Sequence, residues 1–225
     1  MAINLKKTGG LSANGVKLLC YGQAGAGKTS LIRTLPNPVV LSAEGGLLSI
    51  QDANLPYIEI ADMDDLMEAF AWCKSSTEAV GFESVALDSI SEVAEVVLQH
   101  ELRKNKDGRA AYGELNTTMQ ELIRAFRDLP GKHVYMSAKL EKSQDEMGRI
   151  LYNASMPGKS LTQGLPYFFD LVMALRVERD ADGNAHRALL TDSDGLWQAK
   201  DRSGRLSQWE APDLGEIINK IGGAA

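Results

Sequence analysis

The chain has 225 residues, with 24 lysines and arginines against 30 aspartates and glutamates, for a net charge of −6. With 44% hydrophobic and 24% charged residues, it has the composition of an ordinary globular domain that can bury a sizeable core. No apolar run approaches the roughly 18–20 residues that cross a membrane, no apolar core follows Lys6 and Lys7 to make a secretory signal, and two cysteines with three histidines form neither a disulfide framework nor a zinc pattern.

Residues 1–14 contain Gly9, Gly10 and Asn14 and read as a flexible lead-in. Residues 15–225 read as a single domain without an internal repeat. Val16–Tyr21 is a short buried strand. Gly22-Gln23-Ala24-Gly25-Ala26-Gly27-Lys28-Thr29 follows, and it fits the phosphate-loop pattern G-x-x-x-x-G-K-[ST] at every fixed position. Glycines let successive backbone N–H groups turn inward around phosphates. Lys28 is the expected partner of the beta and gamma phosphates, and the Thr29 hydroxyl is the expected Mg²⁺ ligand. Ser30, which opens the predicted helix Ser30–Leu35, completes the candidate ATP-binding set.

Pro36 and Pro38 stop that helix, and Val39–Ser42 forms the next strand. Glu44 stands just past its end, either as a carboxylate able to align an attacking water or as a solvent-facing residue beside Gly45 and Gly46. Tyr57–Ile60 is a further strand. Asp62 is placed to cap a helix running to about Cys73 or Thr77. Ser84–Asp88 is an apolar strand ending in a carboxylate. Asp88 is the candidate for orienting magnesium-bound water, or the cap of the helix that follows over Ile90–Leu102.

Lys104–Arg109 reads as a solvated loop, and Leu115–Leu129 as an amphipathic helix with Met119, Leu122, Ile123 and Phe126 on one face. His133–Ser137 is the next strand. Short apolar strands alternating with helices predict an α/β fold, a mostly parallel sheet with flanking helices. The last third departs from that rhythm. Phe168–Val177 and Arg187–Thr191 flank the turn Asp182-Gly183-Asn184 and predict a C-terminal antiparallel hairpin. Trp197–Lys200 is expected as an edge strand, and Leu214–Ile221 as a short helix.

Taken in order, the phosphate loop, Ser42-Ala43-Glu44 and Val85-Ala86-Leu87-Asp88-Ser89-Ile90 resemble the RecA-like P-loop ATPases. Arg109–Leu115, Leu122–Leu129, Pro157–Leu161 and Leu165–Asp170 are similar to segments of the small AAA-like, RecA-core proteins that bacteriophages use in single-strand annealing and recombination. The resemblance implies a RecA-like core hydrolysing Mg-ATP, with Glu44 as the catalytic base. It implies a homo-oligomer, a helical filament or a ring, holding single-stranded DNA and placing ATP at the junction between subunits. Lys200 and Arg202 are then the basic residues that reach a neighbour's site.

Ser137 or Lys139 would stand where such proteins carry a glutamine that senses the gamma phosphate. The segment 139–164, with Lys139, Lys142, Arg149 and Lys159, would be a loop facing DNA. A single-strand binding protein is a further partner on this view, and the cytoplasm of a bacterial host the compartment. The brief lead-in makes annealing the expectation over full strand exchange. A packaging or partition ATPase, a simple nucleotide-binding module and a small-metabolite kinase are the alternatives.

Overall fold

The computed structural model describes residues 14–222, so the lead-in expected over 1–14 lies almost wholly outside the described residues. In chain order the strands are β1 (Lys17–Gly22), β2 (Pro38–Ser42), β3 (Tyr57–Glu59), β4 (Ser84–Asp88), β5 (His133–Gln144), β6 (Ile150–Ala154), β7 (Leu171–Arg179), β8 (Ala185–Leu190), β9 (Lys200–Asp201) and β10 (Trp209–Glu210). The α-helices are α1 (Met63–Ser75), α2 (Ile90–Lys104), α3 (Gly108–Arg127), α4 (Lys159–Gly164) and α5 (Leu214–Gly222). No described helix is long and apolar enough to cross a membrane.

The strands form one sheet in the order β10-β8-β7-β1-β5-β4-β2-β3, with β6 added to β5 and β9 to β7. β1 lies at its middle, parallel to β5 on one side and to β7 on the other. β4, β2 and β3 continue the parallel half. The β7–β8 pair is the expected antiparallel hairpin. Because strand side chains alternate in direction, β1 feeds two cores. Leu19 and Tyr21 pack with Leu66 of α1, Val97 of α2 and Ile123 of α3. Leu18 and Cys20 pack on the opposite face with Leu31, Ile32 and, from α5, Ile217 and Ile218. The fold is therefore an α/β P-loop NTPase core, a mostly parallel sheet covered on both faces.

Local rules fix several helix ends. The Asp62 side chain caps α1 as expected, accepting from the Asp64 and Asp65 amides at 2.9 and 3.0 Å. The cap of α2 is Ser89, not Asp88: its hydroxyl accepts from the Glu92 amide at 3.3 Å. α3 begins seven residues earlier than Leu115, at Gly108, because Asp107 accepts from the Arg109 amide at 2.9 Å and starts the helix inside the expected solvated loop.

Three further differences bear on the site. The segment after the phosphate loop is a 3-10 helix, Thr29–Thr34, closed by a bond from the Leu35 amide to the Ile32 carbonyl at 3.1 Å. Pro36 and Pro38 leave no donors for a longer helix. The segment 139–164 is not a loop. β5 runs on to Gln144, and β6 returns antiparallel to it, pairing Lys142 with Tyr152. The expected strand at Trp197–Lys200 shrinks to β9, with Trp197 making only a bridge to Tyr152. The Trp197 indole instead stacks on Tyr152 at 4.2 Å, with the Arg176 guanidinium 4.6 Å from its centroid.

Candidate functional site

The loop between β1 and the 3-10 helix sits on the carboxyl rim of the parallel strands, where open α/β sheets bind ligands. Two of its glycines are required, one by packing and one by its backbone dihedral. A Cβ on Gly22 would come within 2.9 Å of the Leu175 carbonyl oxygen, and Gly27 has φ +108°. Lys28 folds back over the loop and donates its ammonium to the Gly22 and Gln23 carbonyls at 3.0 and 3.1 Å. The backbone carbonyl of Lys28 accepts from the Tyr135 hydroxyl at 2.9 Å, which fixes the loop to β5 from beneath. Burial pushes the Tyr135 phenol well above its usual range and the Cys20 thiol up to about 12, so both stay neutral.

Asp88, at the end of β4, is 1% exposed. Its Oδ2 accepts from Thr29 Oγ1 at 2.7 Å, and its Oδ1 accepts from the Ser137 hydroxyl of β5. The Asp88 backbone carbonyl accepts from the amides of Ala43 and Glu44 at 2.8 and 3.4 Å, which binds the end of β2 to the end of β4. Glu44 then points its carboxylate back. Its Oε1 accepts from Ser89 Oγ at 2.6 Å. Lys28, Thr29, Glu44, Asp88 and Ser137 are thus brought to one rim by β1, β2, β4 and β5.

Two clefts meet over the loop. One, of about 700 Å³, is lined by Gly22, Gln23, Lys28, Glu44, Glu92, Lys139 and Lys142. The other, of about 660 Å³, is lined by Gly25, Gly27, Thr29, Ser30, Glu44 and Arg187. Lys28 and Glu44 belong to both. The donor set fits a magnesium nucleotide. A carboxylate and a hydroxyl 2.7 Å apart are hard oxygen ligands, and Mg²⁺ takes one or two such groups with waters and phosphate oxygens for the rest. No cluster of three or more His, Cys, Asp or Glu occurs among the described residues, so an all-protein metal cage is not what this rim provides.

The basic residues scatter. Lys139 lines the first cleft but is paired to Glu92 of α2, whose carboxylate holds its ammonium above the usual lysine range. Lys142 lies 5.7 Å from the Tyr152 ring centroid on the β5–β6 arm. Arg149 pairs with Asp145 at 2.7 Å in the turn of that arm, and Lys159 opens α4 on the surface.

Lys200 and Arg202 lie away from the loop. Lys200 is paired with Val172 near the amino end of β7, the end of the sheet opposite the phosphate loop. Its ammonium donates to the Pro166 and Phe169 carbonyls at 2.5 and 2.7 Å, and burial with Arg202 nearby lowers its pKa to about 8. Arg202 donates to the Tyr167 carbonyl at 2.9 Å and faces Asp170.

Two residues at the site escaped the sequence reading. Ser89 carried a signal, since a serine before a helical run is a cap candidate. Arg187 carried none; only the return of β8 beside β7 brings it to the loop, where its Nε donates to the Ala26 carbonyl at 2.9 Å.

A family model described as an AAA domain matches residues 14–203. No curated protein matches the chain. Among solved structures it is similar to a KaiC-like protein of the hyperthermophilic archaeon Pyrococcus horikoshii OT3, at 13% identity over 79% of this chain and 78% of that one, with a TM-score of 0.42. The match over residues 14–203, together with the phosphate loop at the carboxyl rim of a parallel sheet, makes this chain a member of the AAA domain family, with a P-loop nucleotide-binding module.

Proposed function

We propose that the protein hydrolyses Mg-ATP to ADP and phosphate and that it does so as a homo-oligomer acting on single-stranded DNA, in annealing or recombination. The observation that carries the hydrolytic reading is Glu44. Its carboxylate is held by Ser89 at 2.6 Å and lines the same cleft as Lys28. A carboxylate so fixed accepts the proton of the attacking water. Lys28 exchanges its two loop carbonyls for the beta and gamma phosphate oxygens. Thr29 and Asp88 would hold the metal and its waters, and Ser137 keeps the Asp88 carboxylate oriented. Magnesium, when bound, neutralises the charge that builds on the phosphates.

Single-stranded DNA is favoured by the β5–β6 arm, whose Lys142 lines the same cleft as Lys28 and sets a positive charge at its mouth. Lys139 is the better placed gamma-phosphate sensor, because it lines that cleft directly. Lys200 and Arg202 complete a neighbour's site on this reading only by leaving the carbonyls of their own chain. That commitment favours a second reading, a nucleotide-binding module that turns over slowly or not at all.

The test is ATP hydrolysis with and without single-stranded DNA, in wild type, Glu44→Gln and Lys28→Ala. DNA-stimulated turnover that falls about 100-fold or more in Glu44→Gln, with ATP binding retained, supports the proposal. Turnover indifferent to both DNA and Glu44→Gln leaves the module.

A further inference from the structure

We propose that Arg187 is a binding residue for the phosphates of a nucleoside polyphosphate, supplied by the same chain that carries the phosphate loop. This role rests on the nucleotide-binding reading above and adds a side chain that lies far outside the loop motif.

β8 runs antiparallel to β7 and sets Arg187 opposite Val177, two residues past Leu175, so its side chain reaches the carboxyl rim. Its Nε donates to the Ala26 carbonyl at 2.9 Å, and a Cβ on Gly27 would lie 3.5 Å from that same nitrogen. The guanidinium therefore lies flat against the loop backbone. It lines the cleft with Gly25, Gly27, Lys28, Thr29 and Ser30.

The chain carries more acids than bases, yet Arg187 has no carboxylate within ion-pairing distance among the described residues. By contrast Arg176 of β7, which pairs with Ala188 and so faces the other side of the sheet, is tied to both Glu178 and Asp194. Arg187 spends its one Nε–H on the loop. Its two Nη groups make no hydrogen bond among the described residues. A planar fork anchored at Nε, with both arms left for an oxyanion, is the geometry that suits phosphate. A lysine ammonium is a point charge and does not reproduce this anchored fork.

Binding of Mg-ATP, ADP and adenosine is measured by calorimetry on wild type, Arg187→Ala, Arg187→Lys and Lys28→Ala, alongside thermal unfolding of each. Arg187→Ala is expected to weaken ATP and ADP about 10-fold or more, as loss of hydrogen bonds to a charged group does, and to leave adenosine unchanged. Arg187→Lys guards against misfolding of the alanine variant: it is expected to unfold at the wild-type temperature and still bind ATP several-fold more weakly. Wild-type ATP affinity in both Arg187 variants, with binding lost in Lys28→Ala, overturns the Arg187 role alone. A wild type that binds neither ATP nor ADP overturns the nucleotide reading, and Arg187 with it. Equal weakening of adenosine and ATP makes Arg187 a structural prop and also overturns the role.

Discussion

Ser89 donates its hydroxyl to Glu44 Oε1 at 2.6 Å while accepting from the Glu92 amide at 3.3 Å. One side chain thereby starts α2 and aims the candidate base. Its position directly after Asp88 couples the Asp88 carboxylate to that of Glu44 through a single peptide unit.

Replacing Ser89 with alanine should lower kcat about 10-fold with little change in KM, because positioning and not ground-state binding is lost. The lost cap should cost about 1 kcal/mol of stability. A double-mutant cycle separates the two effects. In a Glu44→Gln background, Ser89→Ala should lower stability again but leave the residual kcat unchanged. A further tenfold fall in kcat there would mean that Ser89 acts elsewhere.

Lys17 is 7% exposed, and its ammonium donates to the Asn14 and Lys132 carbonyls at 3.0 and 2.6 Å. Burial lowers its pKa from 10.5 to about 8, against the opposing pull of Asp170. Between those two values the unfolded chain holds a proton that the folded chain has released. Stability from this group therefore rises with pH across that window. The buried cysteines and Tyr21, pushed up by burial, work in the opposite sense above their ordinary values. The quantity to measure is the wild-type minus Lys17→Met difference in unfolding free energy from pH 7 to 10.5, which should climb. A flat difference would show that Lys17 does not change its protonation on folding.

Gly15 has φ +78°, and a Cβ there would sit 1.9 Å from the Lys132 carbonyl oxygen. The atoms it would meet, in Lys132 and His133, are all backbone, so no rotamer change relieves the clash. Gly15→Ala should destabilise the fold by about 2–4 kcal/mol in urea denaturation. Gly148→Ala, also at positive φ but with nothing within 4 Å of a Cβ, should cost less. Equal costs would place the whole penalty in the dihedral angle and none in the clash.

Ser42, 2% exposed at the end of β2, has a hydroxyl with no hydrogen-bond partner among the described residues. Leaving a buried hydroxyl unmade costs more than removing it. Ser42→Ala should be neutral or stabilising by up to about 1 kcal/mol, whereas Ser84→Ala, whose hydroxyl meets the Pro36 carbonyl at 2.6 Å, should destabilise. Chemical denaturation of the pair decides it: a clear loss in Ser42→Ala would place a bound water at that hydroxyl.

The parallel half of the sheet was legible because each strand there is a short apolar run ending in a chemically marked residue, as Ser84–Asp88 is. The β5–β6 arm was not. Lys139–Gln144 holds a single apolar residue, Leu140, among charged and polar ones, so no period of two in hydrophobicity announces a strand. The charge of Lys104–Arg109 likewise hid a helix start that rests on the Asp107 cap.

For Lys200 the missing information was topological. A sequence places it after Trp197, but only pairing with Val172 reveals which end of the sheet it joins. Tyr167 is 77% exposed, because the short 3-10 turn Leu165–Phe168 rotates it away while Phe169 turns in.

β5 has a mechanical consequence. The strand that presents Ser137 to Asp88 is the same unbroken strand that presents Lys142 to Tyr152, five residues on. At about 3.3 Å per residue, that is a rigid strut of about 17 Å with no hinge along it. The Tyr21 hydroxyl, 2.9 and 2.8 Å from the Tyr152 and Gln198 carbonyls, shares its one proton between them and ties β1 to β6 opposite Lys142, at the far end of the strut. The strand therefore runs without a break from the carboxylate at one end to the Tyr152–Trp197 stack at the other, and what moves one end moves the other.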